Sequence, residues 1–286
     1  MNLNDLFVYS QYITPQHLLS RTAGKIADCE IPSFKNPLIN WFIKQYGVNM
    51  SEAALGSAED FKSFNDFFTR QLKEDARSID QSPSSIISPV DGAISQLGGI
   101  QQGQIFQAKG QSFSVVELLG GNTERAAPFM GGDFATIYLS PKDYHRIHMP
   151  CTGTLREMVY IPGKLFSVNP VTAENVPRLF ARNERVAAIF DTEFGPMAMV
   201  LVGAMIVASI ETTWSGLVAP IKRNVKTTSY GPSNEEIKIQ KGEEMGRFKL
   251  GSTVVLAFPP NATEFVESLK AGSAVQMGQT FGSINK

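Results

Sequence analysis

The chain changes texture near residue 85, and that change limits what it can fold into. Up to Phe68 the apolar residues recur at helical spacing. Leu3, Leu6, Phe7, Tyr12 and Ile13 share one face before Pro15. Thr14-Pro15 then opens a second predicted helix through Leu18 and Leu19. A third is predicted over Pro37 to Tyr46, where Leu38, Ile39, Trp41, Phe42 and Ile43 make a broad apolar face. Ser63 to Phe68 predicts a short helix capped by Ser63 or Asn65. Glu74 to Ser85 is a polar connector. From Ile86 onward, short β-branched runs alternate with Gly and Pro, as in Gly92-Ala93-Ile94, Phe134 to Leu139, Gly153 to Leu155 and Met158 to Ile161. That pattern predicts short strands and tight turns.

The second half carries further signals. Leu179-Phe180 and Val186 to Phe190 flank a polar turn, and a hairpin is predicted through Asp191 to Pro196. Strands are predicted over Met197–Val202, Ala204–Ile210 and Gly216–Val218. Residues 221–240 are polar and basic and are expected to form a mobile loop, with Lys222, Arg223 and Lys226 available to an anionic headgroup. Val254 to Phe258 reads as a buried strand, Pro259-Pro260-Asn261 as a turn and Glu264–Leu269 as helix-like. Gly272, Gly278 and Gly282 are expected at turns.

Composition excludes several classes. A formal net charge of −1 over 286 residues argues against a nucleic-acid binder, which carries a basic excess. Two cysteines, Cys29 and Cys151, make no metal spacing and fit a reducing compartment. Asn2, Asn4 and Asp5 stand where a signal peptide needs basic residues. No apolar run reaches the ~18 residues of a spanning helix, so the N-terminal helices are expected either to pack on the core or to lie in the plane of a membrane surface.

Three turns carry reactive side chains. Ser88-Pro89-Val90-Asp91-Gly92 places Asp91 in a tight turn after a strand. Tyr144 to Pro150 contains His145 and His148, two of the three histidines. Their HxxH spacing permits a metal, but Asp143 is the only carboxylate close by and His17 lies far upstream, so no metal is expected. Gly251-Ser252 puts a glycine, which has no Cβ to crowd an attacking group, directly before a serine at a strand entrance. Asp91, a histidine and Ser252 together have the residue types of a nucleophile, its base and the base's orienting carboxylate. One outcome is a serine hydrolase using Asp91, His148 and Ser252, although Ser252 lacks the Gly-x-Ser-x-Gly elbow. Another is attack of Ser252 on the carbonyl of Gly251. A non-enzymatic β-rich binding domain, similar to lipoyl and sugar-phosphotransfer carriers, leaves the Gly-Ser site without a purpose.

These residues carry a resemblance. Gly246-Arg247-Phe248-Lys249-Leu250-Gly251-Ser252-Thr253 resembles the self-cleavage region of the phosphatidylserine decarboxylases, whose hallmark is LGST. Pro89 to Gly92, Asp143 to Pro150, Ile161 to Asn169, Leu179 to Arg185 and Phe194 to Met197 resemble further motifs of that family, in order. The likeness covers nearly the whole chain and is strongest to bacterial membrane-associated members. It implies an α+β fold: a β-rich, sandwich- or barrel-like catalytic core over residues 81–286, preceded by a membrane-associating helical region over residues 1–80. It implies a proenzyme that cuts itself between Gly251 and Ser252 into chains 1–251 and 252–286, with Ser252 becoming a pyruvoyl group. That group would decarboxylate phosphatidylserine to phosphatidylethanolamine through a Schiff base. His148, paired with Asp91, would be the base of self-cleavage. His145 would return a proton to Cα, a role its ordinary pKa near neutrality suits. A peripheral place on the cytoplasmic side of the cell membrane and a homodimer are also implied.

Overall fold

The computed structural model describes residues 3–205, 209–219, 224–231, 236–249 and 252–285. It is α+β, with the longer helices first and antiparallel strands, interrupted by short helices, after them. Helices α1 (Leu3–Ile13), α2 (Gln16–Ala27) and α3 (Pro32–Tyr46) are followed by the short α4 (Phe64–Phe68). The first two lie where the pattern places them, parted at Pro15. The third begins five residues earlier than expected, so Pro37 lies inside it. Pro32 opens the helix, and the amides of Phe34 and Lys35 both reach the Ile31 carbonyl. The buried Lys35 then anchors this first turn by donating Nζ to the Ala58 carbonyl at 3.2 Å. Ser63, not Asn65, caps α4, its Oγ accepting from the Asp66 amide.

Among the described residues, nine strands form the main sheet. Its centre is Ser252–Phe258, which pairs with Gly195–Val202 on one side and Asp133–Leu139 on the other. All seven residues of that central strand are buried. Alternate residues serve two cores. Val255 and Ala257 face one core with Val200 and Phe42, while Val254, Leu256 and Phe258 face a second with Leu201 and Ile137. The first core includes Val8, Ile39, Phe64 and Phe67, so the N-terminal helices pack on the same apolar cluster as that face of the sheet. The second core is closed by residues of a four-stranded sheet (Ile210, Val218, Phe248, Ile147) and of a three-stranded one (Ile86, Phe281). Both faces of the central strand are therefore dry, which explains a continuous apolar run where a half-exposed strand would alternate.

Four expectations need correction. Glu264–Leu269 is not helical: Thr263–Phe265 is a strand paired to Thr280–Ile284, and the Phe265 ring meets Phe281 at 5.4 Å. Gly282 lies within that pairing rather than in a turn. A Cβ there would stand 2.7 Å from the Glu264 carbonyl oxygen, so only glycine lets the two backbones approach. Lys226–Ser229 and Lys238–Ile239, expected in a mobile loop, both pair with Gly153–Ile161. Lys222 and Arg223 lie outside the described residues, as does part of the strand expected over Ala204–Ile210. Leu179-Phe180, expected beside a turn, opens the short helix Leu179–Arg182. No helix among the described residues is long and apolar enough to cross a membrane.

Candidate active site

The central strand begins at Ser252, opposite Leu139. Both chains change sheets at this end. Asp133–Leu139 runs through residues 140–145 into Arg146–His148, which pairs with Glu244–Lys249 in the four-stranded sheet. Glu244–Lys249 in turn leads back to Ser252 through Leu250 and Gly251. Those two residues, and with them the expected cleavage bond, lie outside the described residues. Asp91 arrives at the same end from the next strand, since Ala93 of Gly92–Gly99 pairs with Tyr138, which pairs with Thr253. Glycine is required after Asp91: a Cβ on Gly92 would lie 2.4 Å from the Tyr138 carbonyl oxygen. The topology thus gathers Asp91, the two histidines and Ser252 at one corner, though they span most of the sequence.

Ser252 is fully buried and its hydroxyl has no hydrogen-bond partner among the described residues; the Thr253 hydroxyl is likewise buried and unpartnered among them. An unpaired buried hydroxyl costs on the order of 1–3 kcal/mol, so its retention calls for a purpose.

His145 is fully buried against the Phe68 ring, with centroids 4.0 Å apart. Its Nδ1–H donates to the Asp143 carbonyl at 2.8 Å, which leaves the lone pair on Nε2, and Nε2 has no partner. Burial, aided by the charge on Arg70, pushes its pKa down to about 3. The ordinary near-neutral value expected for a proton donor does not apply here: at neutral pH this imidazole is uncharged, because desolvation outweighs the single carbonyl contact.

His148 is held at both nitrogens. Nδ1–H donates to the Gly242 carbonyl at 2.8 Å, and Nε2 accepts the Tyr144 hydroxyl at 3.0 Å. Burial lowers its pKa, with the Gly242 contact opposing, and burial raises that of Tyr144. Both groups are therefore neutral, with the proton on the phenol oxygen and a lone pair on Nε2.

Asp91 departs from the expected pairing with His148. Its carboxylate accepts from Arg77 through Nε at 3.0 Å and through Nη2, and from the Met277 amide at 2.8 Å. Arg77 also bonds Glu52 at 2.8 Å, and its own pKa is raised by these carboxylates. A guanidinium offers two parallel N–H donors to a carboxylate where an imidazole offers one, so the fork prevails. Asp91 reaches His148 through its field, favouring the charged imidazole.

Several residues here escaped the sequence reading. Arg70, Arg77 and Glu52 sit in polar or aromatic stretches without a motif, and Gly242 acts only through its carbonyl. Tyr144 stands inside the histidine motif, and its place four residues before His148 was the available signal. The segment around α4 closes the site from behind: besides Arg77 and Phe68, Arg70 Nη2 donates to the Lys142 carbonyl at 2.9 Å and Arg146 Nε to the Thr69 carbonyl at 2.9 Å. Among the described residues no three His, Cys, Asp or Glu side chains group as metal ligands.

At this corner a buried serine at a strand entrance, two neutral histidines and a carboxylate come from distant parts of the chain. Comparison with known proteins places the chain in a family. The family model described as phosphatidylserine decarboxylase matches residues 64–283, and a second, described as PSD, matches residues 6–47. A phosphatidylserine decarboxylase proenzyme of Pseudomonas fluorescens (strain Pf0-1) is 64% identical over 281 residues, covering 98% of each chain. The protein of that name from Hahella chejuensis is 62% identical over 285 residues, covering 99% of this chain and 96% of its own. The chain belongs to the phosphatidylserine decarboxylase family and is an enzyme.

Proposed function

We propose that this chain cuts itself between Gly251 and Ser252 and that the product decarboxylates phosphatidylserine at a membrane surface. The Ser252 hydroxyl carries this reading: buried, unpartnered among the described residues and first in the central strand, it has the carbonyl of the residue before it as its natural target. Ser252 Oγ adds to the Gly251 carbonyl carbon, and the Gly251–Ser252 C–N bond breaks to leave an ester and a free amine. His148 serves as base through Nε2 once the Tyr144 hydroxyl that occupies its lone pair moves aside, with Gly242 fixing its tautomer and the Asp91 charge favouring the imidazolium that forms. Loss of the Ser252 Cα proton expels the Gly251 carboxylate from Cβ. The resulting dehydroalanine takes up water and releases ammonia, leaving a pyruvoyl group at position 252.

The surroundings of residue 252 fit such a group, because the Ser252 and Thr253 hydroxyls and His145 Nε2 are buried without partners among the described residues. The pyruvoyl carbonyl supplies a sink for the electron pair left when CO₂ departs, the task pyridoxal phosphate performs in other enzymes. His145 lies at the same corner with Nε2 unpartnered among the described residues; to return a proton to the substrate carbon its neutral ring must first take one up there, against the burial that lowers its pKa. A serine hydrolase would need Ser252 open to an external ester, and full burial in a paired strand opposes that.

Support for a membrane surface comes from α1 to α3. Leu3, Leu6, Ile13, Leu18, Phe34 and Trp41 are exposed on them, a concentration of large apolar side chains in solvent. We assign this face to the headgroup boundary of the cytoplasmic leaflet. The deciding measurement is the intact mass of the purified protein under denaturing conditions. Two chains, 1–251 and 252–286, the latter lacking its N-terminal nitrogen, are expected; a single active chain would refute self-cleavage.

A further inference from the structure

Arg70 is 4% exposed and takes no part in any ion pair among the described residues. Its Nη2 donates to the carbonyls of Lys142 at 2.9 Å and Asp143 at 3.4 Å. Among the described residues Nε and Nη1 donate to nothing, although both are buried. A guanidinium has five N–H donors, so the Nε–H and both Nη1–H groups are unmatched. The nearby carboxylates are engaged elsewhere: Asp91 and Glu52 hold Arg77, and Asp143 accepts from Ser140. Such a charge is costly to bury unless an anion completes it.

Two contacts say where that anion would sit. The Asp143 carbonyl that receives Arg70 Nη2 also receives His145 Nδ1–H, so the arginine and the free imidazole hang from one oxygen atom. Both lie against consecutive rings of α4: Arg70 is 5.6 Å from the Phe67 centroid, and His145 packs on Phe68. Helix α4 in turn packs against α3, with Phe42 at 5.0 Å from Phe64 and 6.0 Å from Phe67. Arg70 thus stands between the helices with the exposed apolar face and the reacting corner.

We propose that Arg70 binds the phosphodiester of the phospholipid headgroup and so places the amino-acid portion at residue 252. Resting on the decarboxylase reading, this names the group that recognises the substrate. The scissile carboxylate is the poorer candidate. Its charge vanishes as CO₂ leaves, so a cation fixed on it would stabilise the ground state over the transition state. The phosphodiester keeps its charge throughout, and holding it strengthens binding without raising the barrier.

The test uses Arg70→Gln and Arg70→Lys in the full chain, assayed on phosphatidylserine in mixed micelles. Self-cleavage precedes substrate binding, so both variants should yield chains 1–251 and 252–286. KM should rise on the order of 10²-fold for Gln and about tenfold for Lys, with kcat within a few-fold, matching lost charge-assisted hydrogen bonds. Against wild type, glycerophosphoethanolamine should compete with substrate, and that competition should weaken at least tenfold in Arg70→Lys, while inhibition by L-serine stays unchanged. An unchanged KM in Arg70→Lys, or loss of competition by L-serine instead, overturns the assignment. Should Arg70→Gln fail to cleave, the Lys variant and the competition pattern still decide. If wild type itself neither cleaves nor decarboxylates, the decarboxylase reading fails, and that outcome is distinct from failure at Arg70 alone.

Discussion

On the strand Ser252–Phe258 every side chain is buried, including two hydroxyls without partners. On α1 to α3 the reverse holds: Leu3, Leu18 and Trp41 stand in solvent, while Gln11 and Gln16 are buried and accept from the amides of Ser167 at 2.8 Å and Leu165 at 2.7 Å. Each region departs from the usual partition of polar and apolar groups in the direction its proposed task requires. In the sheet, polar groups are kept dry for chemistry. In the helices, Leu3, Leu18 and Trp41 stay exposed, and Gln11 and Gln16 add to the anchoring by Val8, Ile39 and Phe42.

The comparison can be broken most sharply at Ser252. Ser252→Ala removes the nucleophile with little change in volume, and we expect a folded, uncut, inactive chain on a denaturing gel. Leu256→Ala, deeper in the same strand, should cost about 3 kcal/mol in a denaturant titration. The same truncation at the exposed Leu18 should stay within ~0.5 kcal/mol.

A second sharpening uses pH. The folded pKa of His145, near 3, lies below its ordinary value of 6.5. Below that ordinary value the unfolded chain binds a proton that the folded chain excludes. The stability is therefore fully present above pH 6.5 and falls toward pH 3 by about 1.4 kcal/mol per unit at most. His145→Asn should flatten that part of the acid limb, as read by thermal melts across the range.

Smallest in stability but specific in effect, Leu6→Glu with Leu18→Glu should leave the melting point nearly unchanged and lower vesicle flotation about tenfold or more. Substituting these positions is cleaner than deleting α1, which would also remove Gln11 from the Ser167 amide. Equal loss of flotation and self-cleavage would show that the helices serve folding instead.

Much of this was legible in the chain. The break at Pro15, the switch of texture near residue 85 and the buried run after Ser252 follow from local sterics and periodicity. The reactive turns at Asp91, His145/His148 and Ser252 were visible as residue types in order. The start of α3 was misplaced because Pro37 looks like a helix opener, while the anchor that extends the helix, Lys35 on the Ala58 carbonyl, is a contact across 23 residues. Thr263–Phe265 was misread because helical spacing in a short segment is a weak preference, and pairing with Thr280–Ile284 overrides it.

What the sequence determined by itself is the set of reactive groups and the strand that carries Ser252, because residue identity and period act over a few neighbours. Tertiary structure alone decided how those groups are partnered. It gave Asp91 to Arg77, turned the His148 lone pair toward Tyr144, sealed His145 until its ring is neutral, and left Arg70 charged and incomplete beside it. Hydrogen-bond partners and burial depend on which distant segments meet, and those distances in space are not written in the local order of residues.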